Sequence, residues 1–259
     1  EADLLRRAVG KKKKEVLAEE RKHFIEGAVR NGYSKETADQ IYDLIVRFAN
    51  YGFNRSHAVA YSKIAYQLAY LKAHYPLYFM AALLTSVIGS EKKIAQYVRE
   101  AKEMGIQILR PSIQSSQFFF KAEKEGIRFG LAAIKGVGAA AVKEILRARK
   151  EKMFEDLFDF CLRVSPQAVN RRTIESLILA GAFDDFGKDR ATLLASVDAA
   201  IDHAEFMRPD PDENGHFELF ADESFFPKPK YTEVEPMPDD MRLKYEKEVL
   251  GLYLSSHPV

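Results

Sequence analysis

The residues best suited to chemistry lie in the middle of the chain, where Lys135, Gly136, Val137 and Gly138 form a short basic turn. A strand-like run precedes this turn and an amphipathic helix follows it, within the stretch from residue 129 to 150. Glycine adopts the positive φ of a tight turn and lets backbone amides approach a ligand closely. Amides at the start of a helix, aided by the helix dipole, favour an anion. The turn therefore predicts a small anion-binding site.

The order of strand-like run, glycine turn and helix is a helix-hairpin-helix signature, in which the anion is a phosphate of the DNA backbone. Basic side chains around such a turn suit phosphate binding without reading of the bases. The alternative is an ordinary glycine turn between a strand and a helix. The basic residues near the turn are Lys135, Lys143, Arg147, Arg149 and Lys150.

Another possible anion site lies in the stretch from Tyr51 to Tyr61. Glycine and asparagine end the preceding helix there, and Ser56 is a candidate cap for the next one. Arg55 and His57 then lie at a helix N-terminus, where two basic groups would suit a triphosphate. Ordinary surface positions for both residues are the alternative interpretation.

A further helix from residue 169 to 183 begins with Arg171 and Arg172, which either reach phosphate or form an exposed basic pair.

Beyond this helix, residues 208–230 are polar and rich in proline, as in a linker. The apolar residues Leu219 and Phe220 within this linker, preceded by His216, are typical of a docking peptide. The alternative is that they pack back onto the domain.

Composition limits the class of protein. The chain has 259 residues, 47% of them hydrophobic, and a formal net charge of +1, which allows more than one folded domain and excludes wholesale disorder. Its single cysteine, Cys161, excludes an internal disulfide and a thiolate zinc cluster. The apolar run near residues 79–88 is too short to span a bilayer. We therefore expect a soluble cytoplasmic protein with no membrane partner, and an excised part of a larger one, because it lacks an initiator methionine and a terminating element.

The pattern of apolar residues predicts a mainly α fold with a small β-hairpin. The residues Tyr61, Ile64 and Leu68 form a helical stripe that is typical of a core. A β-hairpin is expected from the runs 118–121 and 127–131, and short strands at 106–109 and 250–255. Besides the helix after the glycine turn, helices are expected over residues 15–31, 35–49, 56–75, 77–88, 91–104, 169–183, 189–207 and 241–248.

Six segments in a fixed order make the sequence resemble bacterial DNA polymerase III alpha subunits, the family C replicative polymerases, over essentially its whole length. A single such motif is weak, but six in the order of the family are specific. The segments are Leu5-Arg-Arg-Ala-Val-Gly-Lys-Lys-Lys, Tyr51-Gly-Phe-Asn-Arg-Ser-His-Ala, Leu71-Lys-Ala-His-Tyr-Pro, Ala133-Ile-Lys-Gly-Val-Gly, Val169-Asn-Arg-Arg and Leu250-Gly-Leu-Tyr-Leu-Ser-Ser-His-Pro.

The resemblance implies four regions and assigns roles to residues within them. Residues 1–110 would be the C-terminal part of the fingers, 111–207 a helix-hairpin-helix domain for duplex DNA, 208–235 a linker with a clamp-binding peptide, and 236–259 the connection into an OB-fold. Contacts to the incoming deoxynucleoside triphosphate would come from Arg55, His57, Arg6, Arg7 and Lys11. Contacts to DNA would come from Lys135, Gly136, Val137, Gly138, Lys143, Arg171 and Arg172. Contacts to the sliding clamp, the beta subunit, would come from His216, Leu219 and Phe220, with His216 in place of the usual glutamine.

The resemblance also implies that this chain contains no catalytic residue and no metal ligand. The catalytic aspartates of the family lie in the palm, upstream of residue 1, and would hold the Mg²⁺ ions of the parent DNA-directed DNA polymerase. The chain alone is therefore predicted to be inactive, and its partners to be primer-template DNA, deoxynucleoside triphosphates, the clamp and other polymerase III holoenzyme subunits. Two alternatives remain at this point: a non-catalytic helix-hairpin-helix protein for DNA repair or structure-specific DNA binding, and a helical scaffold with no role on nucleic acid.

Overall fold

The computed structural model of the chain describes Arg7 and residues 14–51, 55–208 and 228–255. These residues form two compact units, one ending at Tyr70 and the other beginning at Leu71. The expected mainly α fold with a small sheet is confirmed. The helices are α1 (Lys14–Arg30), α2 (Lys35–Tyr51), α3 (Arg55–His74), α4 (Pro76–Ser86), α5 (Glu91–Glu103), α6 (Ala139–Glu151), α7 (Leu157–Arg163), α8 (Arg171–Leu179), α9 (Arg190–Ala195), α10 (Val197–Met207) and α11 (Asp239–Leu250). The strands are β1 (Ile108–Leu109), β2 (Lys121–Glu123) and β3 (Gly126–Arg128), and short 3₁₀ turns occupy Leu131–Ala133 and Asp184–Phe186.

In the first unit, α1 and α2 pack as a helical pair. The Ser34 hydroxyl accepts a hydrogen bond from the Thr37 amide at 3.1 Å, which caps the start of α2. The buried Tyr42 hydroxyl donates to the carbonyl of Leu17. Arg21 donates to Asp39. Because Leu17 pairs with Tyr42 and Arg21 pairs with Asp39, the two helices run antiparallel. The expected helices in this region are confirmed.

Helix α3 differs from its expected burial. It contains no buried residue, and its apolar side chains are exposed, including Tyr61, Ile64 and Leu68. The prediction that this stripe belongs to a core is therefore wrong for the described residues. Ser56 lies inside the helix rather than at its cap, because α3 already begins at Arg55.

The small sheet of the second unit contains one strand more than the expected hairpin. The strand order is β1-β3-β2, with β3 antiparallel to β2 and parallel to β1. Gly126 makes the parallel pairing possible: its φ is +155°, and a Cβ atom there would lie 2.3 Å from the carbonyl oxygen of Gln107. The Ile127 amide donates to that same oxygen at 2.8 Å.

Aromatic and aliphatic side chains of the second unit form its main core. Phe160 contacts both Phe154 and Phe183, each at a ring-centroid distance of 4.9 Å. The expected single helix over residues 189–207 is wrong, since α9 and α10 are separated at Ser196. The Ser196 hydroxyl donates to the Thr192 carbonyl at 2.8 Å and accepts from the Thr232 amide at 2.9 Å. Ser196, at the break, therefore joins α9 and α10 to the segment that contains Thr232.

The strand expected at residues 250–255 is also absent from the described residues 251–255. Gly251 ends α11 with a φ of +77° and turns the chain. The buried carboxylate of Glu246 then accepts hydrogen bonds from the amides of Leu254 at 3.0 Å and Ser255 at 3.1 Å. These bonds hold the segment against α11, and its described residues form no strand.

Candidate nucleic-acid interface

The glycine turn connects the 3₁₀ turn at Leu131–Ala133 to α6. Gly136 has a φ of +84°, and the Val137 amide donates to the Ile134 carbonyl at 3.2 Å, which closes the turn. Gly138 is the N-cap of α6 and has an ordinary φ of −77°. The expectation of positive φ thus holds for Gly136 and is wrong for Gly138. A Cβ atom on Gly138 would meet nothing within 4 Å, so open space lies beside this residue.

The start of α6 presents amides that the rest of the described chain does not use. Neither Gly136 nor Gly138 donates a backbone hydrogen bond to another described residue. The N-cap also has no side chain to accept from the first turn. Together with the helix dipole, these groups favour an anion. Val137 contributes its backbone only, because its side chain is 7% exposed and packs in the core.

The turn packs directly against the start of α8. The Thr173 hydroxyl donates to the Gly136 carbonyl at 3.3 Å, and a Cβ atom on Gly136 would lie 2.6 Å from Ser176 Oγ. The N-terminus of α8 is capped, since the Asn170 side chain accepts from the Thr173 amide at 3.0 Å. The fold thereby brings Arg171 and Arg172 to the neighbourhood of the turn, 35 positions away in sequence.

The candidate cations differ in how far they are engaged by carboxylates. Lys143 and Arg172 are exposed, and neither forms an ion pair with another described residue. Lys135 Nζ lies 3.7 Å from the carboxylate of Glu91. Arg171 is bound to Glu175 at 2.9 Å and to Asp198 at 3.2 Å. Lys143 and Arg172 are therefore the most available of the predicted cations.

Two other arginines, in the C-terminal half of α6, form hydrogen bonds within the fold. Arg149 donates to the carbonyl oxygens of Ile113 and Ser116 at 2.8 and 2.7 Å, and burial lowers the pKa of its guanidinium group. The expectation that Arg149 surrounds the turn with free charge is therefore wrong. Arg147 donates to Glu144 and Glu151, and its hydrogen bond lowers the pKa of the Glu144 carboxyl group.

The candidate triphosphate contacts are described only in part. Arg55 is the first residue of α3 and His57 lies in its first turn, and both side chains are exposed. The His57 and Tyr61 rings lie 4.2 Å apart. Arg7 is helical and exposed, whereas Arg6 and Lys11 lie outside the described residues. The docking peptide with His216, Leu219 and Phe220 lies outside them as well.

Sequence reasoning missed one set of residues beside the turn, at the start of α5. Glu91, which contacts Lys135, is followed by the exposed residues Lys92 and Lys93. No local spacing signals this proximity, because Lys135 lies 44 positions after Glu91 in the sequence. Within the described part of the chain, no group of three or more His, Cys, Asp or Glu side chains is placed to hold a metal ion. None of the described helices combines the length and apolar character needed to cross a bilayer.

Comparison with known proteins agrees with these features. A model of the helix-hairpin-helix motif matches residues 105–193, and a model of the bacterial DNA polymerase III alpha subunit finger domain matches residues 1–32. The DNA polymerase III subunit alpha of Bacillus subtilis is 62% identical over 259 residues, which cover 100% of this chain and 23% of the relative. The corresponding subunits of Halalkalibacterium halodurans and Staphylococcus aureus are each 49% identical over 260 residues, covering 100% of this chain and 23% and 24% of those proteins. The chain thus spans about a quarter of the length of these relatives, and the resemblance inferred from the six motifs is confirmed.

Proposed function

Because this chain is similar over its whole length to DNA polymerase III alpha subunits, we propose that it has a role within a replicative DNA-directed DNA polymerase. In this role the chain binds the backbone of primer-template duplex through the glycine turn and the start of α6. The observation that carries the proposal is the pair of amides at Gly136 and Gly138, which donate no backbone hydrogen bond to another described residue and lie in a turn that packs against the start of α8. We also propose the four regions expected from the sequence: fingers over 1–110, duplex binding over 111–207, a linker over 208–235 and a connection over 236–259.

The chemistry of the turn suits a phosphate rather than a base. Backbone amides and a helix dipole bind an anion without presenting a pattern that distinguishes one base from another. Lys143 and Arg172 add charge that releases counterions from the duplex on binding. Such contacts hold the duplex at any sequence, which is what a polymerase that copies every template requires.

The incoming nucleotide is proposed to contact the start of α3. Arg55 and His57 lie in its first turn, where the dipole favours the charge of a triphosphate. Arg6, Arg7 and Lys11 are proposed as further contacts to the nucleotide or template. These residues would orient the triphosphate, while bond formation would take place on groups that this chain does not supply.

Magnesium is not assigned to this chain. Its described residues provide no cluster of three or more potential ligands, so they do not fit the two-metal site of a polymerase. We propose that the Mg²⁺ ions of the parent polymerase are held by its palm rather than by the described residues of this chain. The segment from His216 to Phe220 is proposed as a peptide for the sliding clamp, and such a second attachment raises the effective concentration of the polymerase at the primer end.

Binding of labelled primer-template by the intact polymerase, measured over a salt series, tests duplex binding. The double variant Lys143→Ala/Arg172→Ala should bind several-fold more weakly. The slope of log affinity against log salt should become shallower by about two, since each phosphate contact contributes about one. Lys124→Ala removes an exposed lysine from the turn between β2 and β3 and serves as the control. An unchanged slope in the double variant, with the wild-type circular dichroism spectrum, would exclude these contacts.

A further inference from the structure

The first turn of α5 lies against the glycine turn at Lys135. Lys135 Nζ is 3.7 Å from Glu91 Oε1, and both side chains are largely exposed. Glu91 is the first residue of α5. The exposed end of α5 and the exposed cation of the turn therefore belong to one continuous surface.

Contacts to the end of α11 fix this arrangement. The Lys135 amide donates to the Val249 carbonyl at 2.8 Å. Gly251, two residues later, has a φ of +77°, and a Cβ atom there would lie 3.0 Å from Glu91 Cβ. One short segment thus contacts both the glycine turn and the start of α5. A backbone hydrogen bond from Lys135 and the close approach of Gly251 to Glu91 therefore join the glycine turn and α5 to the same segment.

The charge of the surface comes from Lys92 and Lys93. Both side chains are exposed, and neither forms an ion pair with another described residue. The buried face of α5 is formed by Ile94, Val98 and Ala101. At 100° per residue, the two lysines lie outside that face, on the side open to solvent. The first turn of α5 therefore carries one carboxylate, that of Glu91, which contacts Lys135, and two lysines without an ion pair among the described residues.

The amides of the same turn add to the positive field. Ser90 is the N-cap of α5, but its side chain accepts no hydrogen bond from the first turn. By contrast, the capped start of α8 already uses the side chain of Asn170, and Arg171 there is engaged by two carboxylates. Among the described residues, the first turn of α5 thus carries two lysines without an ion pair, and the first turn of α8 carries one such cation, Arg172.

We propose that the first turn of α5 is a second contact to the DNA phosphate backbone, made by Lys92 and Lys93 beside the contact at the glycine turn. The inference rests on the duplex binding proposed above. A strand of duplex carries one phosphate per about 3.4 Å of helix axis, so a surface that extends beyond one turn meets more than one phosphate. Lysine, a compact charge on a flexible stem, suits such contacts.

The test is the same salt series on the intact polymerase, now with Lys92→Ala/Lys93→Ala. We expect several-fold weaker duplex binding and a slope shallower by one to two, about one for each lost contact. The matched control is Arg99→Ala/Lys102→Ala, which removes two exposed charges from the far half of the same helix and should leave the slope unchanged. Lys92→Arg/Lys93→Arg keeps both charges and should bind as the wild type does.

The outcomes separate this inference from the function on which it rests. A wild-type slope for Lys92→Ala/Lys93→Ala, together with a shallower slope for Lys143→Ala/Arg172→Ala, would refute the α5 contact and leave duplex binding at the glycine turn standing. Wild-type slopes for both double variants would refute both. An equal loss in the Arg99→Ala/Lys102→Ala control would also overturn the proposal, because the effect would then reflect the overall charge of α5.

Discussion

Arg149 and Arg172 lie in the same unit, but their guanidinium groups differ in their hydrogen-bond partners and exposure. Arg149 donates to two carbonyl oxygens that belong to the loop before β2, and it is partly buried. Arg172 is exposed and makes no ion pair with a described residue. If such a cation moved to a phosphate, the buried carbonyl oxygens would lose their hydrogen-bond donor, which is energetically costly. Availability of a residue for DNA is therefore set by its partners rather than by its charge.

At the residue scale, the proposal for the triphosphate leads to a kinetic prediction. Arg55→Ala/His57→Ala in the intact polymerase should raise the KM for deoxynucleoside triphosphates by at least tenfold, about the effect of losing one charge-assisted hydrogen bond of 1.5–3 kcal/mol. Steady-state incorporation on a primer-template measures this effect. His74→Ala, at the opposite end of α3, is the comparison variant. Unchanged KM and kcat in the double variant would remove Arg55 and His57 from the proposed site.

At the scale of one element, the glycine turn uses its two glycines for different reasons. Gly136 needs its positive φ and touches Ser176, whereas Gly138 has an ordinary φ and open space beside it. The first glycine therefore shapes the turn. The second leaves room for a ligand next to the amides at the start of α6.

This difference predicts separate effects of two alanine substitutions. Gly136→Ala should lower the free energy of unfolding by about 1–3 kcal/mol, because alanine is strained at positive φ and its Cβ would press on Ser176. Gly138→Ala should leave stability within about 0.5 kcal/mol, because the new methyl group meets nothing in the fold. Denaturant unfolding of the two variants measures both effects. Equal destabilisation would contradict the division of roles.

At the scale of the whole molecule, the two units differ in how much they bury. In the described part of the first unit, the buried apolar residues are Leu17, Ala38 and Tyr42. The second unit has a continuous core that includes the aromatic cluster around Phe160. Burial of apolar area is the main favourable contribution to folding, so the two units should differ in local stability.

Native-state hydrogen exchange should reveal this difference. Amides of α1 and α2 are expected to exchange faster than those of α6 and α8, whose inner faces are buried. Exchange followed by mass spectrometry, on the chain of 259 residues, gives the comparison within one sample. Equal protection in α1 and α8 would show that the first unit gains stability from interactions other than those described here.

The sequence by itself determined the features that depend on neighbours along the chain. Ser34 and Asn170 accept hydrogen bonds from amides three residues later, and glycines such as Gly32 end helices by adopting positive φ. Caps of this kind, the period of the apolar residues and the glycine turn are local, so the helix boundaries and the motif can be predicted from the residue types. The ordered motifs likewise identified the family that the chain resembles.

Only the tertiary structure decided which groups meet across the chain. The parallel pairing of β1 with β3, the break at Ser196 and the folded-back segment after Gly251 each depend on hydrogen bonds between separate segments. The same holds for the engagement of Arg149 and for the approach of α5 to Lys135. These contacts join residues that no periodicity relates, because their proximity is set by packing of the core rather than by the geometry of one helix or turn.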